Sequence, residues 1–186
     1  MQKILVAVTG ASAMLYLQSF LELLEQEDVL VHGICSESGR KVLSIEHDSI
    51  PDNLPSVTHW FDCNDFAAAP ASGSAGYDAM VVIPCSMGTL AAIAAGITSN
   101  LIHRAADVML KENKKLILVA RETPLNRTHL KNMLAAQEAG AVICPPHPGF
   151  YLKPKTLQEA ALTFSWRLGD QLGLLMKDRK RWGESR

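Results

Sequence analysis

The sequence predicts an α/β fold, a single doubly wound domain with helices on both faces of a parallel sheet. Three observations lead there. Short apolar runs rich in Val and Ile alternate with longer helix-like stretches. Those runs are continuously apolar, the pattern of strands buried on both faces. The 186 residues, 48% of them hydrophobic, suffice for one substantial core but not comfortably for two.

The elements follow in order. Residues 3–8, Lys-Ile-Leu-Val-Ala-Val, read as the first strand, closed by Thr9-Gly10. A helix is expected over 11–26, a second strand over 29–34 and a second helix over 38–47. Residues 48–78 hold Pro51, Pro55, Pro70, Gly73 and Gly76 and read as a long surface connection. Residues 79–83, Ala-Met-Val-Val-Ile, form the third strand. The chain then passes through Ser86-Met87-Gly88-Thr89 and becomes almost purely Ala, Gly, Leu and Ile. That reads as a helix over 89–111, with a break near Thr98-Ser99-Asn100. Strands at 116–120 and 141–144 flank a helix at 127–139, where Leu130, Met133 and Leu134 recur at helical spacing. Residues 145–154 carry four prolines and a glycine, a stiff loop, and a last helix covers 157–175.

Composition excludes several classes. A net charge of −1 argues against a nucleic-acid partner, which calls for a basic face. Lys177, Arg179, Lys180 and Arg181 read as a solvated tail. No apolar run reaches the roughly 20 residues that span a bilayer, so no membrane partner is expected. The first residues are too short for a secretory signal. Cys35, Cys63, Cys85 and Cys144 lack Cys-x-x-Cys spacing and read as reduced thiols of a cytoplasmic protein. The six His show no ligand pair at helical spacing, so no metal is expected.

Ligands of open α/β sheets sit beyond the carboxyl ends of the strands. The residues to read are therefore Thr9-Gly10-Ala11-Ser12, Cys35-Ser36, 84–89, Arg121-Glu122-Thr123-Pro124 and 145–151. A strand that breaks into Ser86-x-Gly88-Thr89 at a helix start offers free N–H groups and hydroxyls to an anion. The small residues behind it admit a flat ring, so a phosphorylated, planar cofactor is expected. Gly10-Ala11-Ser12 could be a tight turn facing a ligand with a hydroxyl, but taken alone it reads better as Ser12 serving as a plain N-cap, since many helices begin this way. It is not Gly-x-Gly-x-x-Gly, which disfavours a nicotinamide dinucleotide. Arg121 and Glu122 are either an exposed ion pair or an anion holder beside a proton-transfer group, and the two readings stand level. Lys111, Tyr151 and Arg167 are singly ordinary solvated side chains; together they have the chemistry of a phosphate clamp, and spacing leaves that choice open. Cys85 reads as a core thiol, with no His paired to it.

These blocks carry a resemblance. Thr9-Gly10-Ala11-Ser12, Ala69-Pro70-Ala71-Ser72-Gly73-Ser74, Pro84-Cys85-Ser86-Met87-Gly88-Thr89-Leu90 and 100–112 come first. Arg121-Glu122-Thr123-Pro124-Leu125-Asn126, His129-Leu130, Asn132-Met133, Pro148-Gly149-Phe150-Tyr151 and Arg181-Trp182-Gly183-Glu184 follow. In order and spacing the chain is similar, over nearly its whole length, to the UbiX-type flavin prenyltransferases of the flavin-containing decarboxylase-like superfamily.

The resemblance implies one Rossmann- or flavodoxin-like flavoprotein domain over 1–186, with the tail 176–186 packing over the active site. It implies joining of reduced FMN and dimethylallyl phosphate, without metal, at flavin N5 and C6. The product, prenylated FMN, would serve a UbiD-type decarboxylase, and the enzyme would be a homododecamer with sites at subunit junctions. Gly10, Ala11, Ser12, Ser36, Ser86, Met87, Gly88, Thr89 and Arg121 match FMN-contacting positions. Lys111, Tyr151 and Arg167 match the group holding the allylic phosphate. Ser12 and Glu122 match proton-handling positions, and Trp182 an aromatic closing over the site. Glu46 matches a carboxylate that in relatives approaches from another subunit. Ala13 stands where the family usually has Gly, and Leu17 where it has a small residue. The sequence holds no Asp-rich magnesium cluster; a monophosphate can be held by cations and a phenol. A related cysteine decarboxylase would show Asn where this chain has Gly88, and a non-catalytic flavin binder would not need Lys111, Glu122, Tyr151 and Arg167 together.

Overall fold

A computed structural model describes residues 1–183; Glu184 and the end of the expected 176–186 tail lie outside the described residues. Six parallel strands form one sheet: β1 (Gln2–Val8), β2 (Val29–Cys35), β3 (Val57–Phe61), β4 (Ala79–Cys85), β5 (Lys115–Ala120) and β6 (Val142–Ile143), in the order β3-β2-β1-β4-β5-β6. The helices are α1 (Met14–Leu24), α2 (Glu37–His47), α3 (Met87–Ala94), α4 (Leu101–Lys111), α5 (Arg127–Glu138) and α6 (Leu157–Leu172). This is the doubly wound α/β order of the Rossmann type. No helix among the described residues is long and apolar enough to cross a membrane.

Strand β1 explains why its sequence is apolar at every position from Ile4 to Val8. Successive side chains of a strand point to opposite faces. Ile4, Val6 and Val8 join Met14, Leu17 and Phe164 in a core beneath α1 and α6. Leu5 and Ala7 join Met80, Leu90 and Met109 in a second core beneath α3 and α4. These five residues, Ile4 to Val8, are fully buried, so no polar alternation can appear among them.

The connection expected over 48–78 contains β3, which its sequence concealed. As the edge strand it keeps Thr58 and His59 exposed and Val57, Trp60 and Phe61 half-buried, so the continuous apolar signal is missing. Trp60 lies flat over Gly33, where a Cβ would fall 2.3 Å from the indole. The helix expected over 89–111 does break: α3 ends at Ala94, and Asn100 caps α4 by accepting from the His103 N–H at 2.9 Å. Strand β6 is only two residues long, because the chain turns into the proline loop after Cys144.

The last helix ends earlier than expected. Gly173 takes a left-handed conformation (φ 77°), and the chain doubles back along α6. Leu174 and Met176 return to the core. Arg179 and Arg181 both pair with Asp170, and the Trp182 ring meets Tyr151 edge-on at 5.2 Å.

Candidate active site

From β1 the chain crosses toward β2 and β3; from β4 it crosses toward β5 and β6. The turns after β1 and β4 therefore diverge and leave a crevice between them. Thr9, just past β1, bridges it. Its hydroxyl donates to the Pro84 carbonyl at 2.8 Å and accepts from the Ser86 N–H at 2.8 Å. Gly10 lets the start of α2 come against this turn, since a Cβ there would lie 2.5 Å from the Ser38 Cβ. Ser36 caps α2, its hydroxyl accepting from the Gly39 N–H at 3.0 Å. Ser86 caps α3, accepting from the Thr89 N–H at 3.3 Å and donating to the Thr89 hydroxyl at 3.1 Å.

The first-turn N–H groups of Met87 and Gly88 have no partner within the helix. A Cβ at Gly88 would meet no atom within 4 Å, so the start of α3 opens onto free space. This is a cradle that suits a phosphate or a flat ring lying against backbone. The Arg121 N–H donates to the Cys85 carbonyl at 3.2 Å, which carries the β4–β5 pairing one residue further and holds Arg121 at the same end. Glu122 beside it is exposed, one oxygen accepting from the Thr123 N–H at 2.9 Å.

The start of α1 differs. Ser12 is not its N-cap. The helix begins at Met14, and Ala13 occupies the cap position in the left-handed region (φ 93°). Glu46, from α2 of the same chain, supplies the missing acceptor, taking N–H bonds from Ala13 at 2.9 Å and Met14 at 2.8 Å. Burial pushes the Glu46 carboxyl upward, but hydrogen bonds from the Ser12 hydroxyl and the Met14 and Ala13 N–H groups outweigh it and hold it below the usual range.

The remaining expected residues do not gather here within one chain. Lys111 ends α4 and pairs with Glu112; four residues later Lys115 starts β5, opposite the first residue of β4. Lys111 therefore lies at the amino ends of the strands, while Arg121 and Glu122 follow the carboxyl end of β5, about 20 Å along the strand. The Ala69-Ser74 segment stays with Lys111's end: the Arg104 guanidinium donates to the Ala71 carbonyl at 3.1 Å and pairs with Asp107 at 2.9 Å. Tyr151 and Trp182 come together as an exposed aromatic pair, and Arg167 lies exposed on α6. Arg167 draws the Cys144 thiol down against the larger effect of burial, which leaves it raised.

Cys85 is fully buried and its thiol is pushed up to about 12 by desolvation, the state of a core residue rather than a nucleophile. Among the described residues no three His, Cys, Asp or Glu side chains assemble to hold a metal. A concavity of about 610 Å³ between α1, α6 and the returning tail lies away from the crevice and lacks its helix-start donors. An open hollow of about 500 Å³ lined by Cys35, Arg40, Trp60 and Cys63 adjoins Ser36 past the ends of β2 and β3. Sequence reasoning assigned Thr9 no role. The available signal was a hydroxyl directly after an apolar strand, where packing alone calls for none.

Comparison with known proteins bears on this geometry. Residues 1–159 match the family model described as Flavoprotein. The flavin prenyltransferase UbiX of Methanocaldococcus jannaschii is 42% identical over 182 residues, covering 97% of this chain and 98% of its own. A crystal structure described as AnUbiX in complex with FMN and dimethylallyl pyrophosphate superposes with a TM-score of 0.95 at 41% identity, covering 100% of this chain and 99% of that one. A dodecameric FMN-dependent UbiX-like decarboxylase from Escherichia coli O157:H7 gives 0.93 at 38% identity, with coverage of 97% and 99%. The chain belongs to the flavoprotein family, among its UbiX-type flavin prenyltransferases.

Proposed function

We propose that this chain transfers the dimethylallyl group of dimethylallyl phosphate to N5 and C6 of reduced FMN, breaking the allylic C–O bond with release of inorganic phosphate and giving prenylated FMN for a UbiD-type decarboxylase. The observation that carries the reading is the open α3 start at Gly88, between the crevice turns and beside Arg121 and Glu122. Met87, Gly88 and Thr89, with Ser86, Ser36, Gly10 and Ala11, hold the flavin; helix-start N–H groups take its phosphate and the small residues let its ring approach. Bound reduced FMN supplies the nucleophilic nitrogen and the ring carbon at which the fourth ring closes.

The chain's own residues do the rest. Arg121 neutralises anionic charge at the carboxyl end of β5. Glu122, exposed and unburdened by an ion pair among the described contacts, takes the proton released at ring closure. Ser12, held by Glu46, presents a hydroxyl at the crevice. Lys111, Tyr151 and Arg167 hold the allylic phosphate, and Trp182, set on Tyr151, provides an aromatic face to the developing cation.

Because Lys111 and Glu122 occupy opposite ends of the sheet, the complete site takes residues from more than one chain, and we assign the assembly as a homododecamer. Leu130 and Leu134 support this: they share one face of α5 yet stand more than half exposed, an apolar stripe left for a neighbour. Four free thiols support a cytoplasmic location.

The deciding experiment mixes the protein anaerobically with reduced FMN and dimethylallyl phosphate and weighs the flavin. A gain of one prenyl unit is expected, with dimethylallyl pyrophosphate a poorer donor. Flavin bound but unchanged in mass would make the chain a non-catalytic FMN binder.

A further inference from the structure

We infer that Thr9 is a positioning residue: its hydroxyl is the clasp that fixes the α3 cradle against the β1 turn and so sets flavin affinity. The inference rests on the flavin reading above. The clasp is a closed arrangement. Thr9 is buried at 2% exposure, and its single hydroxyl proton goes to the Pro84 carbonyl. A lone pair then takes the Ser86 N–H. Ser86 is the residue whose own hydroxyl caps α3, so the bond from Thr9 fixes where that helix begins.

The bond spans the switch point. Thr9 and Ser86 are 77 positions apart in sequence and belong to turns that lead in opposite directions across the sheet. Strand pairing cannot do this work, because the β1–β4 register ends at Ala7 and Val82. Beyond it, the Thr9 N–H to Pro84 carbonyl contact is long, at 3.3 Å. The hydroxyl's two 2.8 Å bonds are the short ties across this gap. Removing the hydroxyl leaves the half-buried Ser86 N–H without its acceptor, and an orphaned donor there draws in water or moves. Either response shifts Met87 and Gly88, the groups proposed to meet the flavin.

The test compares the full-length protein with Thr9→Val, which keeps the shape and loses the hydroxyl, and Thr9→Ser, which keeps the hydroxyl. FMN titration and steady-state kinetics are read together with thermal unfolding. Thr9→Val is expected to weaken FMN binding by roughly tenfold or more. It should raise the KM for FMN in parallel while leaving the KM for dimethylallyl phosphate near wild type. Thr9→Ser is expected to restore binding to within about threefold. A merely structural role would lower the active fraction and leave both constants in place, and that result overturns the proposal. So does a Thr9→Ser loss as large as that of Thr9→Val. Should Thr9→Val not fold, amide hydrogen exchange at Ser86 in wild type decides: strong protection supports the clasp, and exchange as fast as at Gly88 overturns it. If wild type itself binds no FMN, the flavin reading fails, while the exchange comparison still judges the clasp.

Discussion

Helices α1 and α3 start from neighbouring central strands at the same end of the sheet, yet their first turns are handled in opposite ways. The α3 turn is capped by its own Ser86, and Gly88 leaves the space before it open. The α1 turn has no cap of its own and is closed by the Glu46 carboxylate reaching over from α2. Both helix starts carry the same partial positive charge. In α1 that charge is already spent on a resident anion. In α3 it is available to an incoming one. The difference separates a helix start that is already closed from one that stands open, and it rests on where a carboxylate sits rather than on either helix's composition.

The largest effect concerns the split between the two ends of the sheet. Lys111→Ala and Glu122→Gln, made separately, should each lower prenyl transfer by roughly a hundredfold or more, with FMN still bound by the second. Assembled together from equal amounts, they should recover activity toward roughly a quarter of wild type, because some junctions then pair an intact Lys111 with an intact Glu122. No recovery in co-assembled protein would mean that one chain completes the site.

Filling the α3 cradle comes next. Gly88→Val places a branched side chain in the open space and should weaken FMN binding by roughly ten- to a hundredfold, the effect of 1–3 kcal/mol of overpacking. The same variant should unfold close to the wild-type temperature, since nothing in the free chain contacts that Cβ. Equal loss of stability would show that the space is structural.

Glu46 is a smaller and pH-dependent case. Its carboxyl titrates below the usual range in the folded chain, so it stabilises the fold above the unfolded carboxylate pKa and loses that contribution as pH falls through the folded value. Glu46→Gln should cost about 0.5–1 kcal/mol at pH 7, the low end of the capping range because the group faces solvent. The difference from wild type should shrink toward pH 3 in urea titrations. A gap that persists in acid would mean that charge is not what holds α1.

The smallest effect is at Ala13. Its left-handed φ of 93° strains a side-chain-bearing residue. Ala13→Gly should raise stability by about 0.5 kcal/mol, the relief being partly offset by a freer unfolded chain. The urea midpoint reads it directly.

Legibility in the sequence followed burial. Strands β1, β2, β4 and β5 announced themselves because both faces are covered, and Ser86-x-Gly88-Thr89 because a helix start beside a glycine has few other uses. Strand β3 did not, since an edge strand with Thr58 and His59 in solvent resembles a loop. The α1 cap was misassigned to Ser12 because local sequence offers a serine, whereas the acceptor comes from Glu46, 32 residues away from Met14. Thr9 was visible as a letter but not as a bond, because its partners lie 75 and 77 positions on. Placement of Lys111 needed the direction of α4, which only the topology supplies.

Opposed placement of Lys111 and Glu122 also has an economic consequence for a cell. If the site is shared between chains as proposed, a chain whose Lys111 and Glu122 face away from each other contributes nothing until it meets its siblings. Turnover per molecule would then climb with expression level and collapse on dilution, as mass action dictates for any function born of association. The dose of protein, more than any switch within a protomer, would set when this chemistry turns on.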